Sequence, residues 1–294
     1  MPPAMSDDAR AAVLAWYDAS GRALPFRRTR DPWAILVSEV MAQQTQIARV
    51  ADAWSRFMGR FRTPAALAES SPADVLRAWQ GMGYDRRAIN LRRAAQAIRD
   101  EHGGRVPDDI EALQRLPGIG PYTARAIAAI AFGRPVGAVD TNVRRVLGRT
   151  LDLEGGAVVQ AAADASVDRA RPGDWTHAVM DVGATVCRPR NPRCDACPLR
   201  PWCGFALANG ASPGTVTPVR AQTAAPAFTS TKRWLRGRIV DRLRAAPDGA
   251  WTEVDAPIGS HDAVAVRVAL DALARDGLVE LDGEDRRLAR LATA

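Results

Sequence analysis

Cysteine is scarce in this sequence, and its placement excludes a disulfide scaffold. The 294 residues include only four cysteines, and all of them fall between Cys187 and Cys203. A secreted fold held by disulfides spreads its cysteines along the chain, whereas one cluster is typical of a metal site in a reducing compartment. We therefore expect a reduced, cytoplasmic protein (nucleoid-associated if bacterial) with one metal centre.

Long apolar runs are also missing. No stretch of about 18 apolar residues occurs, so we expect no membrane-spanning helix. Residues 1–10 are polar and lack the apolar segment of a secretory signal, which we therefore do not expect. Alternating β-branched residues are rare, which argues against a main body built from half-buried strands.

Arginine dominates the basic residues. The chain has 40 Lys+Arg against 33 Asp+Glu, a net charge of +7. This surplus is compatible with a nucleic-acid partner, but many basic proteins bind none, so charge alone leaves the partner open. The length suggests about two domains.

The main body of the sequence has a helical pattern. Residues 8–208 are rich in Ala and Leu and are divided by short Gly/Pro breaks. This pattern predicts an all-α body. Apolar residues recur at helical spacing in Trp33, Leu36, Val37, Val40 and Met41; in Ile47, Val50, Trp54 and Phe57; in Leu67, Val75, Leu76 and Trp79; and in Leu91, Ala94, Ala95 and Ile98.

The composition changes at Gly210. An Ala/Thr/Pro-rich stretch without apolar periodicity predicts a linker over residues 210–229. Residues 230–294 then predict a small α+β module. Its predicted elements are helices at 236–243 and 263–275 and a hairpin of 278–281 with 287–291. Helices followed by a terminal hairpin indicate a winged-helix-like module.

The four cysteines have the spacing C-x6-C-x2-C-x5-C. Cys194 and Cys197 supply two thiolates on one turn, and the longer gaps let Cys187 and Cys203 reach the same centre. Zinc, an iron–sulfur cluster and unliganded thiols are the possible states, and the spacing alone does not decide between zinc and iron–sulfur.

A second pattern is the segment Leu116–Ala124, with sequence LPGIGPYTA. Gly118 and Gly120 allow a tight turn and a close approach of the backbone to a ligand. Pro121 suits the first position of a helix, whose unpaired amides could bind a phosphate. An ordinary glycine turn between two helices is the alternative, and G-x-G by itself favours it.

Two carboxylates stand in informative positions. Asp140 precedes a helical stretch and is a good N-cap, a role that many aspartates have without any other. Glu39 would share a helix face with Ile35 and Ala42, whose apolar side chains would raise the pKa of its carboxyl group. Taken alone, Glu39 is more simply a solvated surface charge.

Together, four segments resemble the helix-hairpin-helix, iron–sulfur DNA glycosylases of the endonuclease III superfamily, and within them the adenine-removing MutY family. The resemblance covers about residues 8–208, and the segments are Ser38–Gln46, Gly81–Tyr84, Leu116–Ala124 and Cys187–Cys203. It implies a base-excision repair enzyme that removes adenine mispaired with 8-oxoguanine or guanine in double-stranded DNA. It also implies a structural [4Fe–4S] cluster on Cys187, Cys194, Cys197 and Cys203, in a loop whose Arg188, Arg190 and Arg193 meet phosphates.

The same resemblance implies the catalytic residues. Glu39 would protonate the leaving adenine, and Asp140 would stabilise the positive charge that develops on the sugar. Tyr122 stands where the lyase members carry a catalytic lysine, so the enzyme would be monofunctional. Tyr122 and Asn142 complete the set of candidate catalytic residues.

The implied DNA contacts lie elsewhere in the chain. Tyr84 would wedge into the duplex, and Gln44 would fill the space left by the flipped base. Gly118 and Gly120 would approach phosphates. Weaker assignments place Asp181 at the base pocket and Arg22 and Arg27 at DNA, with plain surface solvation as the alternative for each.

The sequence departs from the family pattern at three places. Ala42 replaces a usual leucine, and Asp85 replaces a frequent second aromatic residue after Tyr84, which would weaken the wedge. Residues 230–294 are too few for the Nudix-like domain with which many relatives read 8-oxoguanine. The sequence therefore leaves open how the lesion is recognised.

The resemblance predicts a two-lobed body. Residues 1–28 with 135–209 would form the iron–sulfur lobe, and residues 29–134 would form a helical barrel, with Asp140 between the lobes. We expect a monomer. The competing functions are a thymine·guanine mismatch glycosylase, which lacks the lysine too, a bifunctional lyase for oxidised pyrimidines, and a non-catalytic DNA-binding or redox module.

Overall fold

The structure is a computed structural model that describes residues 2–209 and 227–293. The described helices are α1 (Asp7–Ser20), α2 (Pro32–Ala42), α3 (Ile47–Arg60), α4 (Pro64–Ala68), α5 (Pro72–Ala78), α6 (Arg86–Glu101), α7 (Ile110–Arg115), α8 (Pro121–Phe132), α9 (Thr141–Leu151), α10 (Gly156–Ser166), α11 (Pro172–Asp181), α12 (Gly204–Asn209), α13 (Lys232–Ala245) and α14 (Ala263–Arg275). The strands are β1 (Thr252–Glu253), β2 (Val279–Leu281) and β3 (Leu288–Leu291). The all-α body and the terminal α+β module are thus confirmed.

The chain forms two compact units. The first holds the described residues of Met1–Glu39, Asp108–Arg115 and Ile119–Ala221, and the second holds those of Val40–Pro107, Leu116–Gly118 and Gln222–Ala294. This division groups the C-terminal module with residues 40–107, whereas the sequence suggested a separate module. The predicted domain boundaries stay a prediction, and residues 210–226 of the predicted linker lie outside the described residues.

The first unit is built around helices α8 and α11. Helix α8 buries all residues from Thr123 to Ile130 except Arg125, most of them small or β-branched, and α11 is buried along its length except at Asp174. Helix α1 packs on α11, and α11 in turn packs on α8 and α9. Because α8 is apolar on most sides, it forms the interior of this unit rather than a surface helix.

The second unit has an aromatic core. The Phe57 ring lies with its centroid 4.8 Å from that of Phe61 and 5.8 Å from that of Trp79, and Phe57 and Trp79 are fully buried. Helices α4 and α5 both pack on α6. The helical stripes predicted within residues 47–98 are buried in this unit, except that Ile47 and Trp54 are only half-buried. Trp33, Leu36 and Val37 of the first predicted stripe are buried too, but they belong to the first unit.

The C-terminal module is a small antiparallel sheet covered by two helices. Its strand order is β1-β3-β2, and Glu280 pairs with Arg290 in the β2–β3 hairpin. Helices α13 and α14 pack on each other, and α13 and β3 also contact α5. The predicted hairpin and the second predicted helix are confirmed, while the first helix begins earlier, at Lys232, where the Thr231 side chain caps it.

No helix in residues 2–209 or 227–293 is long and apolar enough to cross a membrane.

Candidate active site

Glu39 lies near the end of helix α2 in an apolar environment. Its neighbours on the helix, Ile35 and Val40, are buried, and Glu39 itself is half-buried. Desolvation raises the pKa of the Glu39 carboxyl to about 7, and the charge of Asp140 adds to the rise. A hydrogen bond from Tyr122 and the charge of Arg27 act in the opposite direction. The sequence-based expectation that apolar neighbours would raise this pKa is confirmed, and the alternative of a fully solvated carboxylate is not.

Tyr122 lies in the first turn of helix α8 and faces both carboxylates. Its hydroxyl hydrogen-bonds Glu39 and lies 3.7 Å from the Met180 sulfur. Burial, followed by the charges of Glu39 and Asp140, raises the pKa of Tyr122 well above its usual value. The phenol therefore stays neutral and can donate a hydrogen bond, but it offers no amine to form a Schiff base.

Asp140 is the N-cap of helix α9. One carboxylate oxygen accepts the Val143 N–H at 2.6 Å and the other accepts the Asn142 amide at 3.0 Å. The N-cap predicted from the sequence is confirmed. Because two donors hold the carboxylate, its orientation is fixed before any ligand binds.

A second layer of contacts holds Asn142. The Arg145 guanidinium donates to the Asn142 side-chain oxygen at 2.8 Å and to the Gly183 carbonyl at 2.7 Å, and its Nε donates to the Cys187 carbonyl at 2.7 Å. A Cβ at Gly183 would lie 2.6 Å from the Asn142 Cβ, so glycine is required at this approach. Arg145 thereby links the Asp140 segment to the start of the cysteine loop.

Asp181 is fully buried and pairs with two arginines. Its carboxylate lies 2.6 Å from Arg27 Nη1 and 2.6 Å from Arg22 Nε, and it also accepts the Arg22 backbone N–H at 2.9 Å. These contacts lower the pKa of Asp181 in spite of its burial, which acts to raise it. Surface solvation is therefore excluded for Asp181 and for Arg27, whose side chain is only 8% exposed. Whether these residues meet the base or DNA stays a prediction.

Tyr17 and His177 lie beside this cluster, and the sequence alone did not indicate either of them. The Arg27 guanidinium lies over the Tyr17 ring at 5.7 Å, and the Tyr17 and His177 ring centroids are 6.4 Å apart. Burial, followed by the charge of Arg27, lowers the pKa of His177 to about 3, so this ring is neutral at physiological pH. Both residues are separated from Arg27 along the chain, so only the folded structure brings them together.

Glu39 and Asp140 therefore occupy different surroundings within one unit. Glu39 is desolvated and near half-protonation at neutral pH. The Asp140 carboxylate, by contrast, accepts hydrogen bonds from two N–H donors. Two carboxyl groups in such contrasting environments are suited to act as a general acid and as an electrostatic stabiliser of positive charge.

The four cysteines line one pocket in the first unit. Its other walls are mostly apolar and include Leu199 and Val186. Arg149 borders the pocket: its Nη1 lies 3.5 Å from the Cys187 sulfur, and its backbone carbonyl accepts from the Cys203 thiol at 3.4 Å. Arg188, Arg190 and Arg193 are exposed on this loop, as contact with phosphates would require.

The residues fit a metal centre in their chemistry. All four thiols of the sequence face the same pocket, and burial raises the pKa of the Cys197 thiol to about 11, so a thiolate there needs a bound cation. Within the described residues, no three His, Cys, Asp or Glu side chains converge as a closed ligand set. The four thiols thus share one pocket, and their role as metal ligands stays a prediction.

Gln44 and Tyr84 lie in the second unit, on two neighbouring turns. Both are non-glycine residues with positive φ, 54° and 49°, a conformation that costs energy and concentrates at functional sites. Gly83, at φ 67°, precedes Tyr84. The residues predicted to enter the duplex are thus held in unusual backbone conformations.

Arg87 fastens these two turns together, a role that the sequence did not suggest. Its guanidinium donates to the carbonyls of Val40 and Met41 at 2.9 Å and, on the other side, to the Gly83 carbonyl at 2.9 Å and the Thr45 hydroxyl at 2.9 Å. Burial lowers the pKa of Arg87 to about 10, still far above neutrality. One half-buried cation therefore links the Gln44 and Tyr84 turns.

The two glycines of the predicted hairpin behave differently. Gly118 has φ 83°, and a Cβ there would lie 3.0 Å from the Asn90 Cβ, so glycine is needed for both conformation and space. Gly120 has extended backbone and is the N-cap of helix α8, with Pro121 at the first helical position as predicted. The phosphate-binding role of this turn stays a prediction.

Comparison with known folds and families places this chain in a class. A thermostable thymine-DNA glycosylase matches with a TM-score of 0.64 at 26% identity, covering 68% of this chain and 95% of that one. A non-covalent endonuclease III–DNA complex matches in fold, with a TM-score of 0.59 at 24% identity over 68% and 94% of the two chains. Residues 37–163 match the family described as HhH-GPD superfamily base excision DNA repair protein.

Curated relatives narrow this class. The adenine DNA glycosylase of Mycobacterium tuberculosis is 47% identical over 242 residues, covering 80% of this chain and 78% of that protein. That of Mycolicibacterium smegmatis is 41% identical over 283 residues, covering 93% of each chain. The human adenine DNA glycosylase is 43% identical over 66% of this chain and 38% of its own length. The chain belongs to the adenine DNA glycosylase family, and the resemblance stated from the sequence is confirmed.

Proposed function

We propose that this protein, as a monomer, removes adenine mispaired with 8-oxoguanine or guanine in double-stranded DNA, leaving an abasic site. The observation that carries the proposal is the environment of Glu39, whose pKa of about 7 suits a general acid at neutral pH. Asp140 lies near enough to influence that pKa. The names of the relatives support adenine as the base.

The reaction follows from these two groups. Adenine flips out of the duplex, and protonated Glu39 donates its proton to the base, because adenine is a poor leaving group as an anion. The bond between the base and the sugar then breaks, and the Asp140 carboxylate stabilises the positive charge on the sugar. Water adds to the sugar and completes the hydrolysis.

The ion-pair cluster of Asp181 with Arg22 and Arg27 lies at the acid rather than at the sugar, and it acts on the Glu39 carboxyl through the charge of Arg27. Asp181 holds Arg27, and the Arg27 charge acts to lower the pKa of Glu39. We propose that Asp181 shapes the base pocket by fixing Arg22 and Arg27. In this role the arginines position groups at the base, and Arg27 has little surface left for a phosphate.

A panel of duplexes tests the proposed substrate. Adenine opposite 8-oxoguanine, A·G, T·G, thymine glycol and a bare abasic site would be incubated with excess protein, and products analysed with and without alkali. We expect alkali-dependent cleavage at adenine only. Efficient excision from T·G would instead assign a thymine-removing activity, in line with the name of the similar solved structure, a thymine-DNA glycosylase. Cleavage without alkali would assign a lyase.

We propose that Cys187, Cys194, Cys197 and Cys203 hold a [4Fe–4S] cluster. Four thiols around one apolar pocket suit such a cluster, which would tie the loop bearing Arg188, Arg190 and Arg193. When bound, the cluster would supply structural stability to the loop. Arg145 and Arg149 join this loop to helix α9, so order in the loop would also support Asp140.

Protein purified without oxygen should be brown and contain about four iron atoms per chain, with broad visible absorbance. Cys203→Ser should lose iron, and thermal unfolding of the first unit should shift downward, since metal binding and folding are coupled in such loops. Metal content by elemental analysis is the measurement. Stoichiometric zinc, with no iron, would contradict the cluster.

Wild-type protein should not be trapped on abasic DNA by borohydride. Trapping requires an amine beside the sugar, and the corresponding position is Tyr122, while Lys232 is the only lysine in the sequence. We expect Tyr122→Lys to gain trapping, measured as a shifted protein–DNA band. Lys232→Ala is the control: strong wild-type trapping that this variant removes would show that the C-terminal lysine acts as a lyase amine.

A further inference from the structure

The C-terminal module holds the side chain of Tyr84. The Arg233 guanidinium of helix α13 lies 4.1 Å from the centroid of the Tyr84 ring, and its Nη1 donates a hydrogen bond to the Tyr84 hydroxyl. The Arg87 guanidinium lies 5.5 Å from the same ring. Two cations from different parts of the chain thus contact one aromatic ring, an arrangement in which each attraction favours a fixed ring position.

The same module also holds the residue after Tyr84. Arg244 Nη2 donates to Asp85 at 2.5 Å, and the two side chains are only 6% and 10% exposed. Arg244 Nε donates in addition to the Leu76 carbonyl at 2.9 Å. A desolvated ion pair of this kind fixes the position of helix α13 on the loop, because separating the two side chains would leave a buried charge unpaired. Asp85, which departs from the family's aromatic residue, is therefore the anchor of helix α13 on this loop.

Further contacts join the C-terminal module to the rest of the second unit. The Ala73 N–H donates to the Ala292 carbonyl at 2.9 Å, and Arg77 pairs with Asp248 at 2.6 Å. On helix α6, Arg93 donates to the Asp276 carbonyl at 3.3 Å. The module is therefore mounted on α5 and α6, the helices that flank the Tyr84 loop, and its removal would bare the surface of α5.

We propose that the C-terminal module positions the duplex wedge, with Arg233 as a positioning residue for Tyr84. The inference rests on the proposed wedge role of Tyr84 and adds the module to the machinery that recognises the mispair. A ring already held in place loses less conformational freedom when it enters the duplex, so more of the binding energy supports base flipping. The match to the Mycolicibacterium smegmatis relative, over 93% of both chains at 41% identity, extends into residues 227–293.

The test measures flipping separately from chemistry. The full-length protein, at saturating concentration, would be mixed with a duplex carrying 2-aminopurine opposite 8-oxoguanine, whose fluorescence rises when the base leaves the stack. Single-turnover excision of adenine would be measured in parallel. Arg233→Ala should lower the flipped population and the excision rate about fivefold, the size expected for one exposed cation–π contact. Arg233→Lys, which keeps the charge without the flat guanidinium, should fall between.

The matched control is Arg242→Ala, which removes an exposed arginine from the same helix. It should weaken binding at low salt but leave flipping at saturation unchanged. A cycle of Arg233→Ala with Tyr84→Phe should be non-additive, because Arg233 contacts the hydroxyl that this second change removes. Thermal unfolding of each variant separates positioning from loss of fold.

Two outcomes separate this inference from the proposed function. If Tyr84→Ala impairs flipping while Arg233→Ala behaves like Arg242→Ala, the positioning role of the module is wrong and the wedge remains. If Tyr84→Ala flips the base as well as wild type, the wedge assignment fails and the inference fails with it.

Discussion

Glu39→Gln should lower the single-turnover rate of adenine excision by about 10²–10⁴, the usual contribution of general acid catalysis. Glutamine has nearly the same shape, and its side-chain oxygen can still accept the hydrogen bond from Tyr122 that Glu39 receives. It cannot donate a proton to adenine at neutral pH. The loss should therefore appear in the chemical step, with affinity for the lesion duplex largely kept.

The control is Glu111→Gln, at an exposed glutamate in the first turn of helix α7. It removes the same charge from the same unit and should excise adenine at the wild-type rate. Gel-shift binding of A·8-oxoguanine duplex and the thermal unfolding midpoint would be measured for both variants. Excision by Glu39→Gln at a rate near wild type would remove Glu39 from the mechanism.

The excision rate should fall as pH rises through about 7. Glu39 acts as an acid only while it carries its proton, and its raised pKa of about 7 keeps it protonated below that value. Above it, kcat/KM should fall about tenfold per pH unit. Tyr122→Phe removes the hydrogen bond that lowers the pKa of Glu39. In this variant the fall of kcat/KM with pH should therefore begin at higher pH. If kcat/KM of this variant falls at the same pH as that of the wild type, a group other than Glu39 controls the pH dependence.

The sequence predicted what depends on local pattern. The helices of the body followed from apolar spacing, and the N-cap at Asp140 from an aspartate placed before a helix. The raised pKa of Glu39 also followed from neighbours on its own helix, since Ile35 lies one turn away. In each case the deciding residues are close in sequence.

Contacts between distant residues could not be predicted in this way. Arg22 and Asp181 are 159 positions apart, and so are Asp85 and Arg244. From the sequence, Asp85 was expected to weaken the wedge at Tyr84. The structure shows instead that Asp85 pairs with Arg244 of the C-terminal module. Arg87 gave no signal either, because most of its partners are backbone carbonyls, whose positions depend on how the turns pack and not on which side chains they carry.

Asp140→Asn should lower the excision rate by at least about 10²–10³, a loss comparable to removing one preorganised electrostatic group. The carboxylate stabilises positive charge on the sugar only while it is ionised, and the neutral amide supplies no such charge. The fold should survive, because asparagine is as good an N-cap as aspartate. Its side-chain oxygen can still accept the Val143 N–H, which Asp140 now accepts at 2.6 Å.

The side-chain nitrogen introduced by Asp140→Asn has no acceptor to donate to. Asn142 presents its NH₂ group to Asp140 at 3.0 Å and cannot turn over without losing the bond that Arg145 makes to its oxygen at 2.8 Å. The amide nitrogen introduced by Asp140→Asn would therefore face a second donor, and a modest fall in stability, about 1 kcal/mol, is expected. Asp262→Asn is the matched control, since Asp262 caps helix α14 through the Ala265 N–H at 2.9 Å. This control should retain wild-type excision, and if Asp140→Asn loses no more activity than Asp262→Asn, Asp140 is a cap and nothing else.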